Sequence, residues 1–366
     1  PQRDPGNSVA IVTLGCARNE VDSEDLASTL EQGNWSVVSD AADADVVLVN
    51  TCGFINEAKK DSIDSLLAIK AQGEQEGHQR VVAVGCLAER YGQDLARELP
   101  EVDAVWGFDT YKDMSARLTA LIAGEPAESH QPVDRRTLLP IAPVDRPAVA
   151  ESGRLDSSAM PRRRLDGGPV AHVKLASGCD RRCSFCAIPR FRGSFVSRRP
   201  VDVSAYITNL VAQGVHEVIL VSENSTSYGK DLGDLRLLET ALGDWVADSG
   251  VRRLRLSYLQ PEEIRPGLVE AIIQTRGVAE FFDLSFQHAS PRLLRRMRRF
   301  GGSDEFLKLI ETIRSLCPTA GIRSNFIVGF PGESDADFEA TLDLIDRVRF
   351  DNSFSFIYLR YYKFDI

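Results

Sequence analysis

At 366 residues, with 43% hydrophobic and 26% charged positions, the chain has an ordinary globular composition and room for two or three domains. Seven cysteines are too few and too unevenly placed for a disulfide scaffold, and no stretch approaches the apolar length of a membrane span. A net charge of −10 argues against a surface that grips nucleic acid along its whole length and favours a basic partner. No charged segment followed by an apolar run opens the chain, so a reducing cytoplasm is the expected location.

Residues 1–8 carry no pattern and read as a tail. From 9 to about 128, strands and helices alternate. Apolar runs at 9–14, 46–49 and 81–84 read as buried strands, with shorter candidates at 35–38 and 104–106. Helical spacing covers 22–32, 55–70, a segment through Leu95 and Leu99, and 114–122, the last ending at Gly124. Such alternation implies a mostly parallel sheet covered on both faces. Cys16, Cys52 and Cys86 each follow one of the three strong strands. Ligands of an open parallel sheet bind beyond the carboxyl ends of its strands, and Gly15, Gly53 and Gly85 let the backbone turn tightly there. One such cysteine is commonly a small buried hydrophobe. Three at equivalent strand ends predict a three-thiolate cluster.

Between 129 and 168 the pattern lapses into Pro, Arg, Asp and Ser, which reads as a surface connector. Within it Arg162, Arg163 and Arg164 read as a solvated charge run, or as a contact for a phosphate or an acidic patch. From 170 the alternation resumes, with strands expected at 170–175, 217–221, 253–257, 281–286, 322–328 and near 354–358. Helices are expected at 203–213, 263–273, 303–316 and 335–348. Six such repeats suffice for an open or partial barrel whose chemistry lies at the carboxyl ends of the strands.

The first of those strands runs into Cys179-Asp180-Arg181-Arg182-Cys183-Ser184-Phe185-Cys186. Three thiols at the spacing C-x3-C-x2-C can converge on one inorganic centre. A structural zinc site normally closes with four protein ligands, and a 4Fe–4S cube normally takes four cysteines. Three therefore point to a cube with one iron left open, although a zinc knuckle with a distant fourth ligand stays possible. Cys317 reads as a bystander and His288 as a structural hydrogen-bond donor.

The C-x3-C-x2-C spacing, with Phe185 before its last cysteine, resembles the radical S-adenosylmethionine enzymes. Leu14-Gly15-Cys16, Asn19, Asp22-Ser23-Glu24, Asn50-Thr51-Cys52-Gly53-Phe54-Ile55 and Gly85-Cys86-Leu87 resemble the amino-terminal domain of the methylthiotransferases within that class. The resemblance runs from about residue 9 to 351. It implies a Rossmann-like parallel-sheet domain over 9–128 and a partial (β/α)6, TIM-like radical S-adenosylmethionine barrel over 169–366. It also implies two 4Fe–4S clusters, one on Cys16, Cys52 and Cys86 and one on Cys179, Cys183 and Cys186. S-adenosylmethionine would lie against Phe185, Glu223 or Asn224, Gln287, Asn325 and Gly329, by position in the loops that hold it in that class. No side chain is implied as a catalytic acid or base.

Within the family, Gly53-Phe54-Ile55 after Cys52, Ala187-Ile188-Pro189, residues 285–290 and residues 323–333 resemble the branch that modifies an aspartate of small-subunit ribosomal protein S-twelve. The sister branch, which modifies an adenosine of transfer RNA, resembles the chain better at residues 353–358. The family's carboxy-terminal TRAM barrel has no counterpart in the sequence. The first branch implies a methylthio group placed on the aspartate β-carbon. A 5′-deoxyadenosyl radical from S-adenosylmethionine would abstract hydrogen there, and the substrate radical would collect the methylthio group held at the other cluster. Implied partners are the ribosomal protein, on or off its subunit, and an electron donor such as flavodoxin or ferredoxin. A two-cluster electron-transfer protein is the competing class, and a zinc-dependent interaction module a third.

Arg292, Arg295, Arg296, Arg298 and Arg299 crowd one short segment. They read either as a basic helix end paired with carboxylates or as a surface that docks the modified particle.

Overall fold

The computed structural model describes residues 7–76, 79–138 and 162–358. They fall into two units, one holding the described residues to Leu138 together with 162–167, the other starting at Gly168. Among the described residues, no helix is long and apolar enough to cross a membrane.

The first unit runs β1 (Ser8–Thr13), α1 (Ala17–Gln32), β2 (Ser36–Val38), β3 (Val46–Thr51), α2 (Asn56–Glu76), β4 (Arg80–Val84), α3 (Gly85–Glu98), β5 (Ala104–Val105) and α4 (Met114–Ile122). Its five strands stand in the order β2-β1-β3-β4-β5, every pair parallel. All six residues of β3 are buried, which is why it opens on the apolar run 46–49 rather than an alternation, with the polar Asn50 and Thr51 at its end also buried. Val46 and Leu48 pack with Leu26, Leu30, Met114 and Leu118 of α1 and α4. Val47 and Val49 pack with Leu66, Leu87 and Leu95 of α2 and α3. This is a doubly wound sheet whose order reverses at β1 and β3, and a crevice opens beyond their carboxyl ends at that point.

Both flanks of the expected connector pack onto this unit. Arg162 is 3% exposed and its Nε donates to the buried Glu24 carboxylate of α1. Arg164 and the Leu165 N–H reach the other oxygen of Glu24, each at 3.2 Å. The solvated reading of this arginine run is therefore wrong for two of its three members; only Arg163, paired with Glu31 at 3.1 Å, is half exposed. On the other flank Arg135 is buried against Glu89 of α3, which also accepts from the Phe108 N–H at 2.7 Å. A buried carboxylate demands partners. Glu24 and Glu89 draw them from the segments that bracket residues 139–161.

In the second unit, β6 (Val170–Lys174) is followed by β7 (Ala176–Ser177), α5 (Ile188–Arg192), β8 (Val196–Ser197), α6 (Pro200–Ala212), β9 (Glu217–Val221), α7 (Leu237–Ser249) and β10 (Arg253–Leu256). Then come α8 (Pro266–Gln274), β11 (Phe281–Gln287), α9 (Pro291–Arg296), α10 (Ser303–Leu316), β12 (Gly321–Val328), α11 (Asp335–Val348) and β13 (Asn352–Ile357). β6, β9 and β10 form one parallel set, and β11, β12 and β13 another. Bridges from Leu254 to Val278 and from Leu259 to Leu284 join the two sets. The result is six parallel strands in chain order, an open barrel with helices on its outer face. α7 is a helix that the periodicity reading passes over, although Leu238, Leu242 and Trp245 lie fully in the core.

Phe282, Leu284, Ile322 and Phe326 belong to the apolar layer beneath the helices. Strand alternation then turns Asp283, Ser285, Arg323 and Asn325 to the opposite, inner face.

Candidate functional site

In the first unit the three cysteines stand at the ends of adjacent strands. Cys16 is the N-cap of α1, Cys52 follows β3, and Cys86 lies in the first turn of α3. The backbone at Gly15 lies against Cys52: a Cβ there would come 2.7 Å from Cys52 Cβ and 2.9 Å from its Sγ. With φ at +95°, the position suits glycine on both counts. Asn19 ties the ends together. Its Nδ2 donates to the Leu14 carbonyl at 2.9 Å and the Thr51 carbonyl at 3.1 Å, and its Oδ1 accepts from the Cys86 thiol at 3.5 Å. Cys52 is fixed from behind, its N–H donating to Ser62 Oγ at 2.9 Å. Cys16 and Cys86 both sit at helix amino termini, where the helix dipole favours a thiolate.

In the second unit the cysteine loop is an excursion between β7 and β8. Their antiparallel pairing, Ala176 with Ser197 and Ser177 with Val196, closes its base. Cys179 N–H donates to the Gly193 carbonyl at 3.0 Å, and Cys186 N–H to the Cys183 carbonyl at 3.2 Å. Burial pushes the Cys179 thiol well above its usual range; an Arg181 backbone hydrogen bond opposes the rise, while Cys186, Cys183 and Glu223 add to it. Cys183, Cys186 and Glu223 thus lie within electrostatic reach of Cys179, and all three cysteines are half-buried; a cation bound at such a site deprotonates thiols outright. Among the described residues, no three cysteine, histidine or acidic side chains are drawn tight enough to grip a single ion. Each unit nevertheless carries a set of three free cysteines, and by donor chemistry three thiolates without a fourth fit a cube with one open iron.

The other expected residues divide. Phe185 packs on the barrel core. Glu223, beyond the end of β9, is buried, with Arg192 Nε 3.6 Å from its Oε1. Asn224 is already engaged: Nδ2 donates to Ser227 Oγ of its own loop at 2.8 Å and to Glu263 Oε2, beyond β10, at 3.0 Å. Gln287 ends β11 at a register shift with φ at +73°. For a residue that is not glycine this is stored strain, of order 1–3 kcal/mol. Asn325 is half-buried on the inner face of β12. Gly329, with φ at +74°, is exposed after β12, and nothing lies within 4 Å of where its Cβ would be. The Phe330 N–H donates to Glu333 Oε2 at 3.0 Å, and Glu333 Oε1 lies 3.1 Å from His288 Nε2. His288 Nδ1 accepts from the Ser290 N–H at 3.0 Å, so the buried ring carries its proton on Nε2 and acts as a fastening. Cys317 lies apart, its thiol 3.2 Å from Glu280.

Three further residues escape the sequence reading. Tyr258, at the end of β10, has φ at +62° and donates its N–H to the buried Asp283 at 3.1 Å. Arg192 and Glu263 supply the charges next to Glu223 and Asn224. Only the adjacency of Glu262-Glu263 to a strand end would have pointed to the last of these.

An open parallel barrel that carries C-x3-C-x2-C on the excursion after its first strand defines the class of radical S-adenosylmethionine enzymes. Residues 173–345 match the Radical SAM superfamily, and residues 8–107 match a family described as Uncharacterized protein family UPF0004. Among curated proteins, the ribosomal protein uS12 methylthiotransferase RimO of Nocardioides sp. is 61% identical over 94% of this chain and 73% of its own length. The RimO proteins of Kineococcus radiotolerans and Cutibacterium acnes are 56% and 55% identical, each over 96% of this chain and over 74% and 76% of their own lengths. Among solved structures, the radical S-adenosylmethionine methyltransferase TsrM from Kitasatospora setae superposes with a TM-score of 0.66 at 16% identity, over 95% of this chain and 73% of TsrM. The cobalamin-dependent enzyme OxsB gives 0.60 at 11%, over 94% of this chain and 52% of OxsB. These two share the fold. The chain belongs to the RimO family of radical S-adenosylmethionine methylthiotransferases. Its cofactors are S-adenosylmethionine and 4Fe–4S clusters, which leaves the electron-carrier and zinc-module readings without support.

Proposed function

We propose that this enzyme places a methylthio group on the β-carbon of an aspartate in small-subunit ribosomal protein uS12. The observation that carries the reading is the pair of three-cysteine sets, one at the ends of β1, β3 and β4 and one in the loop between β7 and β8. The printed activity of the RimO relatives supports the substrate, and a transfer-RNA adenosine is not favoured.

Cys179, Cys183 and Cys186 would hold the cluster that binds S-adenosylmethionine, and Cys16, Cys52 and Cys86 would hold the second. When bound, these groups supply the one-electron chemistry and the sulfur that no side chain provides. The chain's own residues bind and orient. Glu223, kept company by Arg192, offers a carboxylate to the methionyl ammonium. Gln287 and Asn325 offer amides to the ribose, and Gly329 lets the adenine approach a bare backbone. Phe185 excludes water beside the last cysteine. Asn224 would shape the loop rather than touch the cofactor, since its amide is already engaged. We assign the S-adenosylmethionine-binding cluster to a domain of residues 169–366 and the second cluster to a domain of residues 9–128, with 129–168 between them, its flanks packed onto the first unit. The reducing electron would come from a small carrier such as flavodoxin or ferredoxin, in a reducing cytoplasm where thiolates persist.

Mass spectrometry of uS12 and of transfer RNA from cells lacking the chain tests the substrate. The expected result is loss of the methylthio aspartate with unchanged transfer RNA. Intact uS12 modification together with a lost adenosine modification would overturn it.

A further inference from the structure

The cysteine loop is moored at two points that the proposed chemistry does not use. Ser184 N–H donates to the Met297 carbonyl at 3.1 Å, and its Oγ donates to the Arg296 carbonyl at 2.9 Å. The second mooring is ionic. Arg181 extends one nitrogen between two carboxylates, 2.6 Å from Glu262 Oε1 and 3.3 Å from Glu263 Oε1. Glu262 is itself fixed by a fork with Arg299, Nε to Oε1 at 2.9 Å and the terminal nitrogen to Oε2 at 3.2 Å. Arg299 is 3% exposed and also donates to the Ser285 carbonyl at 2.7 Å. Glu263 turns its other oxygen to Ser227 Oγ at 2.7 Å and Asn224 Nδ2 at 3.0 Å, inside the loop after β9.

Two carboxylates and two guanidiniums balance in charge, and each is largely withdrawn from water. Such a cluster holds its members in one geometry, because moving any of them strands a partner. The Glu262-Glu263 pair sits on the turn directly after β10, so the rigid end of a barrel strand is the reference point.

We propose that Arg181, Glu262 and Glu263 are positioning residues. Through them the backbone between Cys179 and Cys183 is held at a set distance from the loop after β9 that carries Glu223. The inference rests on the reading that Cys179, Cys183 and Cys186 hold a cluster and Glu223 faces its ligand. Arg181→Gln removes the link while leaving the buried Arg299–Glu262 fork intact, so the fold is retained. Arg181→Lys is the conservative variant, since a single nitrogen makes both contacts and an ammonium can replace it.

The test is the alkylation rate of each cysteine, read by peptide mass spectrometry on the iron-free full chain, beside the half-life of bound iron against a ferrous chelator in reconstituted protein. With Arg181→Gln, Cys179 and Cys183 should alkylate about tenfold faster, the scale of one charge-assisted hydrogen bond. Cys16, Cys52 and Cys86 should keep their rates. Iron at the loop should be lost faster by a similar factor, and Arg181→Lys should restore both readings to within about threefold. Unchanged alkylation in Arg181→Gln, or a lysine variant as impaired as the glutamine one, overturns the inference. A parent chain that takes up no iron at these cysteines would instead overturn the cluster reading, and the iron-free alkylation rates would still report on the mooring.

Discussion

The Cys86 thiol donates to the Asn19 amide oxygen at 3.5 Å, joining two residues 67 positions apart in the sequence. The other end of the same amide holds the carbonyls of Leu14 and Thr51. One fully buried side chain thus gathers the ends of β1, β3 and β4 around the first three cysteines. Asn19→Ala would take this donor from the buried Thr51 carbonyl and the half-buried Leu14 carbonyl, at a cost of about 1–3 kcal/mol. Urea unfolding of the iron-free chain should show that loss, and a change below about 0.5 kcal/mol would count against the role.

Two three-cysteine sets predict two independent iron inventories. Anaerobic reconstitution should load about eight irons per chain, four per cluster. Replacing Cys16, Cys52 and Cys86 with alanine should leave about half, as should replacing Cys179, Cys183 and Cys186. The first variant should still cleave S-adenosylmethionine reductively while transferring no methylthio group, and the second should do neither. Full iron retention in either variant would show that its cysteines hold nothing.

Much of this arrangement is legible in the sequence because it depends on period and spacing. The apolar runs 46–49 of β3 and 81–84 of β4 announce strands covered on both faces, and a cysteine follows each within a few residues. The loop cysteines are legible because three thiols within eight positions have few other uses. What escapes is long-range pairing. Arg162 and Arg164 look like a solvated run until Glu24, some 140 residues earlier, is found beneath them. Glu263 looks like any exposed carboxylate until Arg181, Asn224 and Ser227 converge on it. The strained backbones of Tyr258 and Gln287 leave no local mark either, since both residue types are ordinary at the end of a strand.

Burial alone would raise the Glu263 pKa, but the Ser227 hydroxyl, the Arg181 charge and the Asn224 amide outweigh it and hold the carboxyl below its ordinary value of 4.5. A carboxyl depressed in the folded state contributes stability that is present above the unfolded pKa and lost as pH falls through the folded one. Glu263→Gln should therefore unfold at lower urea than the parent near pH 7, and the gap should narrow once pH drops below about 4. A gap that stays constant or widens with acid would show that the ionised carboxylate is not what stabilises the site.

The arginine-rich segment after β11 divides into used and available members. Arg292 donates to the Gly332 carbonyl at 2.8 Å and pairs with Asp337. Arg299 is buried against Glu262, and Arg296 lies against Gly332, where a Cβ would come 2.4 Å from its guanidinium. Arg292 and Arg299 are thus held in ion pairs, while Arg296 is exposed and lies over the Gly332 backbone. Arg295 and Arg298 are exposed, and among the described residues neither has an ion pair. Ser184 binds the carbonyls of the two residues between them, so both arginines flank the cysteine loop. A pair of unspent positive charges beside the proposed reaction centre, on a chain of net charge −10, fits phosphates close to the target aspartate on an assembled particle. Arg295→Ala with Arg298→Ala should then slow modification of assembled small subunits about tenfold or more while sparing a free peptide that carries the aspartate. Each phosphate contact removed should also flatten the dependence of log affinity on log salt by about one unit. Equal losses on subunit and peptide would return both arginines to the solvated surface, and so would an unchanged salt slope.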